Sequence, residues 1–329
     1  MRACIAGWGT ALPEQRVTNE DLERRVETSD QWIVERTGIR ERRYAGEGDT
    51  TASLAIAAGA AAIKQAGLHP DAVDLLIVAT ATPEQPIPHT GAFVGDGLGL
   101  RCGSFDLGAG CAGFVYELVT GGALLTAGNL GHVLVIGAET LSKVVDPHDR
   151  GTCILFGDAA AAVVLEPAPD DGPGVLAFDL GCDGSAANLL GIPAGGSRLP
   201  ATPDTIEEGL QYIKMQGQEV FRRAIRTVVE SAGNALSRAG LTAADLDWFI
   251  PHQANARIIE AAATRLGVPR DKTIVNIDRY GNTSAASIPL AMAEAADAGR
   301  LREGDLILMS GFGAGMTWGS AVLRWGRAK

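Results

Sequence analysis

AAIKQAGLHPDAVDLLIVATAT (61–82) and NALSRAGLTAADLDWFIPHQAN (234–255) are two versions of one pattern, and their likeness decides the fold. Laid over each other at an offset of 173 positions, they share an Ala-Gly-Leu turn, an aspartate (Asp74, Asp247) and the apolar run behind it. At the same offset GHVLVIG (131–137) lies over GDLILMS (304–310). Each half then closes on an apolar run of strand character, AAAAVVLE (159–166) and GSAVLRW (319–325). Self-similarity at a fixed shift marks a duplicated unit. The stretch EPAPDDGPG (166–174), rich in Pro, Gly and Asp, is where such halves would join, so the expected division is 1–170 and 171–329.

Helical and strand patterns alternate within each half. Thr50 or Thr51 can cap the helix ASLAIAAGAAAIKQAG, which Gly67 stops. VDLLIVAT, GSFDL and HVLVIGAE read as strands, with PHTGAFVGDGLG and CAGFVYELVTGGALLTAG as helices between them. The second half reads as a long helix over about 206–239, strand DLDWFIP, helix ARIIEAAATRLG, strand KTIVNI, helix TSAASIPLAMAEAADAG and strand DLILMSGF. Short apolar strands alternating with helices give an α/β fold. Its two similar halves carry mixed, mostly parallel sheets and face each other about a pseudo-twofold. Sites in such sheets form beyond the carboxyl ends of the strands.

Composition narrows the function. Of 329 residues 46% are hydrophobic and 20% charged, the balance of a soluble globule with a sizeable core. A net charge of −11 argues against a general nucleic-acid binder, which needs a basic surface. No uninterrupted apolar stretch reaches the roughly 18–20 residues of a membrane span. The start, MRACIAGWGTALP, has none of the parts of a secretory leader. The 5 cysteines include no C-x-x-C, so a reducing cytoplasm is the expected setting. No His/Cys/Asp cluster has ligand spacing, so no metal is expected.

Three residues fall at strand ends. Cys111, in FDLGAGCAGFVYEL, opens a helix where backbone N–H groups and the helix dipole favour thiolate. Read alone it is as readily a buried structural cysteine. The glycines Gly108, Gly110 and Gly113 fit a dinucleotide fingerprint, but no acidic residue follows near 128–137 to hold a ribose, and that reading is rejected. His252, in PHQANARII, lies over Ala79 under the repeat and so belongs to one half only; a lone histidine is most often a structural hydrogen-bonder. Asn282, in RYGNTSAAS, lies over Cys111 at an offset of 171; before Thr-Ser it also suits a helix cap. The repeat sets Cys111 and Asn282 at equivalent points with His252 at a neighbouring strand end. That set suits nucleophilic catalysis supported by two polar groups.

GAGCAGF, PHQAN and GNTSAAS, in that order and spacing, resemble the β-ketoacyl-acyl-carrier-protein synthase III family of the thiolase superfamily. DQWIVERTGIRERR (30–43), DPHDRGTCILFGDAAAAVVLE (146–166) and GFGAGMTWGSAVLRW (311–325) extend the likeness from about residue 2 to 326. The resemblance implies a thiolase-like fold and a homodimer. It also implies condensation of an acyl-CoA primer with malonyl-acyl carrier protein to a 3-oxoacyl product, with loss of CO2. Acyl-CoA would be a substrate, and no cofactor is implied. Cys111 would be the nucleophile, and His252 and Asn282 would stabilise the enolate formed on decarboxylation. The Cys111 and Ala314 amides would form the oxyanion hole. Trp32, Arg36, Arg150 and Asn255 match coenzyme A positions. Ile87, where relatives often carry an aromatic residue, would border the acyl pocket across the dimer. Arg222, Gln253, Arg257 and Arg265 would dock the carrier, with Thr264 standing where a docking lysine is common. The rivals are an acyltransferase of specialised metabolism and a non-catalytic subunit that holds a carrier.

Overall fold

The computed structural model describes residues 1–128 and 130–328. Strands β1 (Arg2–Ala11), β2 (Leu75–Ala79), β3 (Gly103–Leu107), β4 (Val133–Thr140) and β5 (Asp158–Ala168) form one sheet in the order β1-β5-β4-β2-β3. β5 runs antiparallel to β1 and β4, whereas β4, β2 and β3 run parallel. Strands β6 (Gly174–Cys182), β7 (Trp248–Pro251), β8 (Leu306–Gly313) and β9 (Thr317–Arg324) form a second sheet in the order β6-β9-β8-β7. Its pairings repeat the senses of the first sheet: antiparallel on both sides of β9, parallel between β8 and β7.

Two stretches depart from the sequence reading. KTIVNI, expected as a strand, forms a single parallel bridge to β7, Thr273 with Phe249. Beyond it the Gln253 side chain takes over the ladder's hydrogen bonds, donating to the Ile274 carbonyl (3.3 Å) and accepting from the Asn276 N–H (3.0 Å). The expected helix over 206–239 is two helices, Pro203–Glu207 and Gly217–Arg238. Between them Lys214–Met215 pairs with Leu190–Gly191 as a two-residue ribbon.

The longer helices are α1 (Asp30–Thr37), α2 (Thr51–Ala66), α3 (Thr90–Leu98), α4 (Gly113–Gly128), α5 (Gly217–Arg238), α6 (Ala256–Leu266) and α7 (Ser287–Asp297). Thr50, not Thr51, caps α2: its side chain accepts from the Ser53 N–H, while the buried Thr51 hydroxyl meets Thr82 and Thr140. Helices α2 and α3 cover the outer face of the first sheet, and α5 and α6 that of the second. Helices α4 and α7 lie between the sheets, where Phe114, Leu118, Ile288 and Met292 meet Ile77, Val135 and Met309. Gly110–Gly128 has the length and apolar composition of a membrane span, yet here it is a core helix clasped by two sheets. A smaller cluster around Ile33, Leu141, Ile154 and Ile277 carries α1 and Arg150.

Candidate active site

Cys111 is delivered by β3. Beyond Leu107 the chain turns through Gly108–Ala109 into a single 3-10 turn, Gly110–Ala112, that leads into α4. Gly110 has φ +52°, which favours glycine, and a Cβ on it would lie a tight 3.1 Å from the Ala314 nitrogen. A Cβ on Gly313 would stand 2.5 Å from the Cys111 nitrogen. The end of β8 and the Ala314–Met316 turn thus press on the Cys111 backbone and bring the Cys111 and Ala314 amides close together.

The thiol is 8% exposed, and burial pushes it up to about 12. Hydrogen bonds from Ser284 and from its own amide pull the other way, and the Glu139 charge adds to the rise. The amide effect expected from the sequence is therefore present but outweighed by desolvation. The resting group is a thiol.

His252 follows Pro251 at the end of β7, its N–H donating to the Ser310 carbonyl at 2.8 Å. Burial holds the imidazole down at about 3, so it is neutral at physiological pH. Its Nδ1 lies 2.6 Å from the Ser287 Oγ, which itself accepts the Gln253 N–H at 3.4 Å. Among the described residues the Ser287 hydroxyl has no other acceptor in reach, so its proton is assigned to Nδ1. The imidazole proton is then on Nε2, which makes His252 a donor there and not a base.

Asn282 is fixed by its backbone, N–H to Leu155 (2.8 Å) and C=O from Gly157 (3.0 Å). Its Oδ1 accepts from the Ser284 N–H at 2.9 Å. A backbone N–H can only donate, so the amide oxygen faces Ser284 and the NH2 remains to donate elsewhere. The segment 282–287 unites the three residues. It carries Asn282 itself, packs its Ser284–Ala286 turn against the Cys111 turn and holds His252 through Ser287.

The other expected site residues fall in several places. Two guanidiniums lie over the Trp32 ring, Arg36 at 5.1 Å and Arg150 at 4.8 Å from its centroid. Asn255 caps α6 through Oδ1 to the Arg257 N–H (2.9 Å) and donates from Nδ2 to the Arg36 carbonyl (3.0 Å), so it ties α6 to α1. Ile87 is 84% exposed and lines no part of the Cys111 site within one chain. Gln253 corrects the sequence reading. At 1% exposure, with its NH2 on Pro251 and Ile274 and its oxygen on Asn276, it has no surface to offer a carrier. Arg222, Arg257 and Arg265 are exposed. Arg222 pairs with Glu219 at 2.9 Å, and Arg257 rests over the Phe221 ring at 5.3 Å. The large cleft of about 620 Å³ between α5 and the β8–β9 turn is lined by Arg222, Arg223 and Arg226, and Cys111 is not part of its wall.

Two family models match the chain: 3-oxoacyl-[acyl-carrier-protein] synthase III over residues 105–184, and the C-terminal part of the same synthase over 236–325. A β-ketoacyl-[acyl-carrier-protein] synthase III of Roseiflexus castenholzii is 52% identical over 324 residues, covering 98% of each chain. The chain belongs to the β-ketoacyl-[acyl-carrier-protein] synthase III family. The solved synthase III of Thermus thermophilus is 46% identical, with a TM-score of 0.91 over 99% of this chain and 100% of that one. The Aquifex aeolicus enzyme is 43% identical, with a TM-score of 0.90 over 98% and 100%. The two sheets with α4 and α7 between them are thus the thiolase-like fold of the synthase III family.

Within this synthase III scaffold, sequence reasoning missed four polar residues at the site. Ser284 and Ser287 stand in the quoted string GNTSAAS but were not singled out. Glu139 and Glu117 are both fully buried, and the signal that could have found them is a carboxylate inside an apolar run, HVLVIGAE and GFVYELV.

Proposed function

We propose that the chain joins an acyl group from acyl-CoA to malonyl-acyl carrier protein, with Cys111, His252 and Asn282 as the catalytic residues. Membership of the synthase III family makes it an initiating condensing enzyme of fatty-acid synthesis. The observation that carries the residue assignment is the 282–287 segment, which holds an Nε2–H donor and an amide NH2 donor beside a buried thiol.

In the first half-reaction the Cys111 sulfur attacks the thioester carbonyl of acyl-CoA. The oxyanion forms against the Cys111 and Ala314 amides, and coenzyme A leaves as its thiol. In the second, malonyl-acyl carrier protein places its thioester carbonyl oxygen against His252 Nε2 and the Asn282 NH2. Two neutral donors fixed before charge develops stabilise an enolate without reorganising. The C–CO2 bond breaks, the enolate carbon attacks the acyl carbon on Cys111, and the C–S bond breaks to give the 3-oxoacyl product, with the departing Cys111 thiolate taking up one proton from solution to restore the thiol. No cofactor enters these steps.

Trp32, Arg36 and Arg150 offer the nucleotide end of coenzyme A an aromatic plane and two cations. Arg222, Arg257 and Arg265 supply the exposed positive charge that an acidic carrier needs on an acidic protein. In a homodimer Ile87, exposed in one chain, would reach the acyl pocket of the other. The repeated sheet order supports halves at 1–170 and 171–329. Intact-protein mass spectrometry after acyl-CoA treatment tests the reading. One acyl group on Cys111, absent from Cys111→Ala, is expected, followed by CO2 release when malonyl-acyl carrier protein is added. An adduct that persists at another residue in Cys111→Ala would overturn it.

A further inference from the structure

Cys111 must lose a proton as it attacks, and His252 does not supply the base. The His252 Nδ1 is occupied by Ser287 and its Nε2 carries a proton. Beneath the thiol, at the end of β4, lies Glu139, fully buried. Its carboxylate accepts the Ala81 N–H (3.0 Å) and the Thr82 hydroxyl (2.9 Å), and Ser284 and the Ala285 amide also draw its pKa down. Gly137 permits that contact, because a Cβ there would stand 2.4 Å from the Ala285 carbonyl oxygen. The Ser284–Ala286 turn packs against both β4 and the Gly110–Ala112 turn that carries Cys111, and Ser284 also draws the thiol's pKa down. One hydroxyl is therefore close to both the thiol and a buried carboxylate, on a backbone held at φ +47°, an angle a serine rarely adopts.

We infer that Glu139 takes the Cys111 proton through the Ser284 hydroxyl as the sulfur attacks the acyl thioester. The inference rests on Cys111 being the acylated residue. The S–H bond breaks and its proton passes to the Ser284 oxygen, while the Ser284 proton passes to a Glu139 oxygen. The sulfur lone pair forms the bond to the acyl carbon. When the tetrahedral adduct collapses, the bond to the coenzyme A sulfur breaks. The proton then returns from Glu139 through Ser284 to that departing sulfur, so the relay ends as it began. Ser284 touches the reacting atom, and Glu139 acts through it.

Burial raises Glu139 to about 7, a value suited to a base working near neutrality. The titratable groups that face it are Cys111 and, from α4, Glu117. Glu117 Oε2 accepts the Ala79 N–H at 3.0 Å, its Oε1 has no partner, and burial holds its carboxyl well above the usual range. Glu117 therefore keeps its own proton near neutrality, which leaves Glu139 as the carboxylate free to accept one.

The test is alkylation of Cys111 by iodoacetamide, followed by intact mass across pH, beside the burst of coenzyme A released from acyl-CoA. In the wild type both rates should rise through an inflection near pH 7. Glu139→Gln should slow both about a hundredfold and remove the inflection, the usual range for losing a general base. Ser284→Gly removes the hydroxyl while easing the left-handed backbone, so it should slow both rates without lowering the melting temperature. If Glu139 acted by charge alone, its removal would lower the thiol's pKa and alkylation would quicken; that result, or unchanged rates in either variant, overturns the relay. Alkylation that depends on Glu139 in a protein that acyl-CoA never labels would overturn the condensing reading and leave the relay standing.

Discussion

Gly313→Ala should damage the enzyme severely. The ideal Cβ would lie 2.5 Å from the Cys111 nitrogen and 2.9 Å from its Cβ, where ordinary contacts begin near 3.4 Å. The nearest neighbour is backbone, so no side chain can swing aside, and one segment must retreat by about 0.5–1 Å. Both candidates for retreat carry the chemistry. If the turn before α4 yields, the sulfur moves; if β8 yields, the Ala314 amide leaves the oxyanion. Overpacking of this kind costs roughly 1–3 kcal/mol of stability. A misplacement of about 1 Å at a reacting group costs about 10² in rate. We therefore expect the coenzyme A burst to slow about a hundredfold, with a modestly lowered melting temperature. Gly184→Ala is the control, since a Cβ there meets nothing within 4 Å and both measurements should stay unchanged. A Gly313→Ala enzyme that acylates at the wild-type rate would refute the argument that this backbone contact sets the sulfur's position.

His252→Ala and Asn282→Ala should still take an acyl group from acyl-CoA but lose about 10²–10³ in malonyl decarboxylation, measured as CO2 release; an equal loss in acylation would move both to the first half-reaction. Arg257→Glu should raise the KM for malonyl-acyl carrier protein about tenfold or more and leave turnover with malonyl-CoA unchanged, with the effect shrinking as salt rises. Equal loss with both donors would place Arg257 in the substrate channel. Glu139 links stability to pH. Burial raises its carboxyl from 4.5 to about 7, so between those values the folded chain keeps a proton that the unfolded chain has released. Stability from this group is full below about pH 4.5 and falls as pH rises to 7, by on the order of 2–3 kcal/mol. Urea titrations should show Glu139→Gln gaining on the wild type over that window, and parallel pH profiles would contradict the buried ionisation.

The fold was legible because the decisive signals were local. Strand β2 and its counterpart β7 follow the same Ala-Gly-Leu turn, and apolar runs of that length need only a sheet to join. The strand expected at KTIVNI was not legible as a loop, because the competitor for its hydrogen bonds is the side chain of Gln253, twenty residues away and read from sequence as a carrier contact. The sign of the Cys111 shift was hidden for a similar reason. The helix-start amide is visible in the string GAGCAGF, but the desolvation that outweighs it comes from β8 and the 284–286 turn, which the sequence places in the other half. Asn282 shows how two readings of one residue can both hold. As a cap it spends its Oδ1 on the Ser284 N–H; as a catalytic residue it needs a fixed NH2. The same hydrogen bond meets both demands, since fixing the oxygen orients the donor and also pins the serine close to the thiol. The local signal that makes Asn282 look merely structural is thus the means by which it is positioned to act.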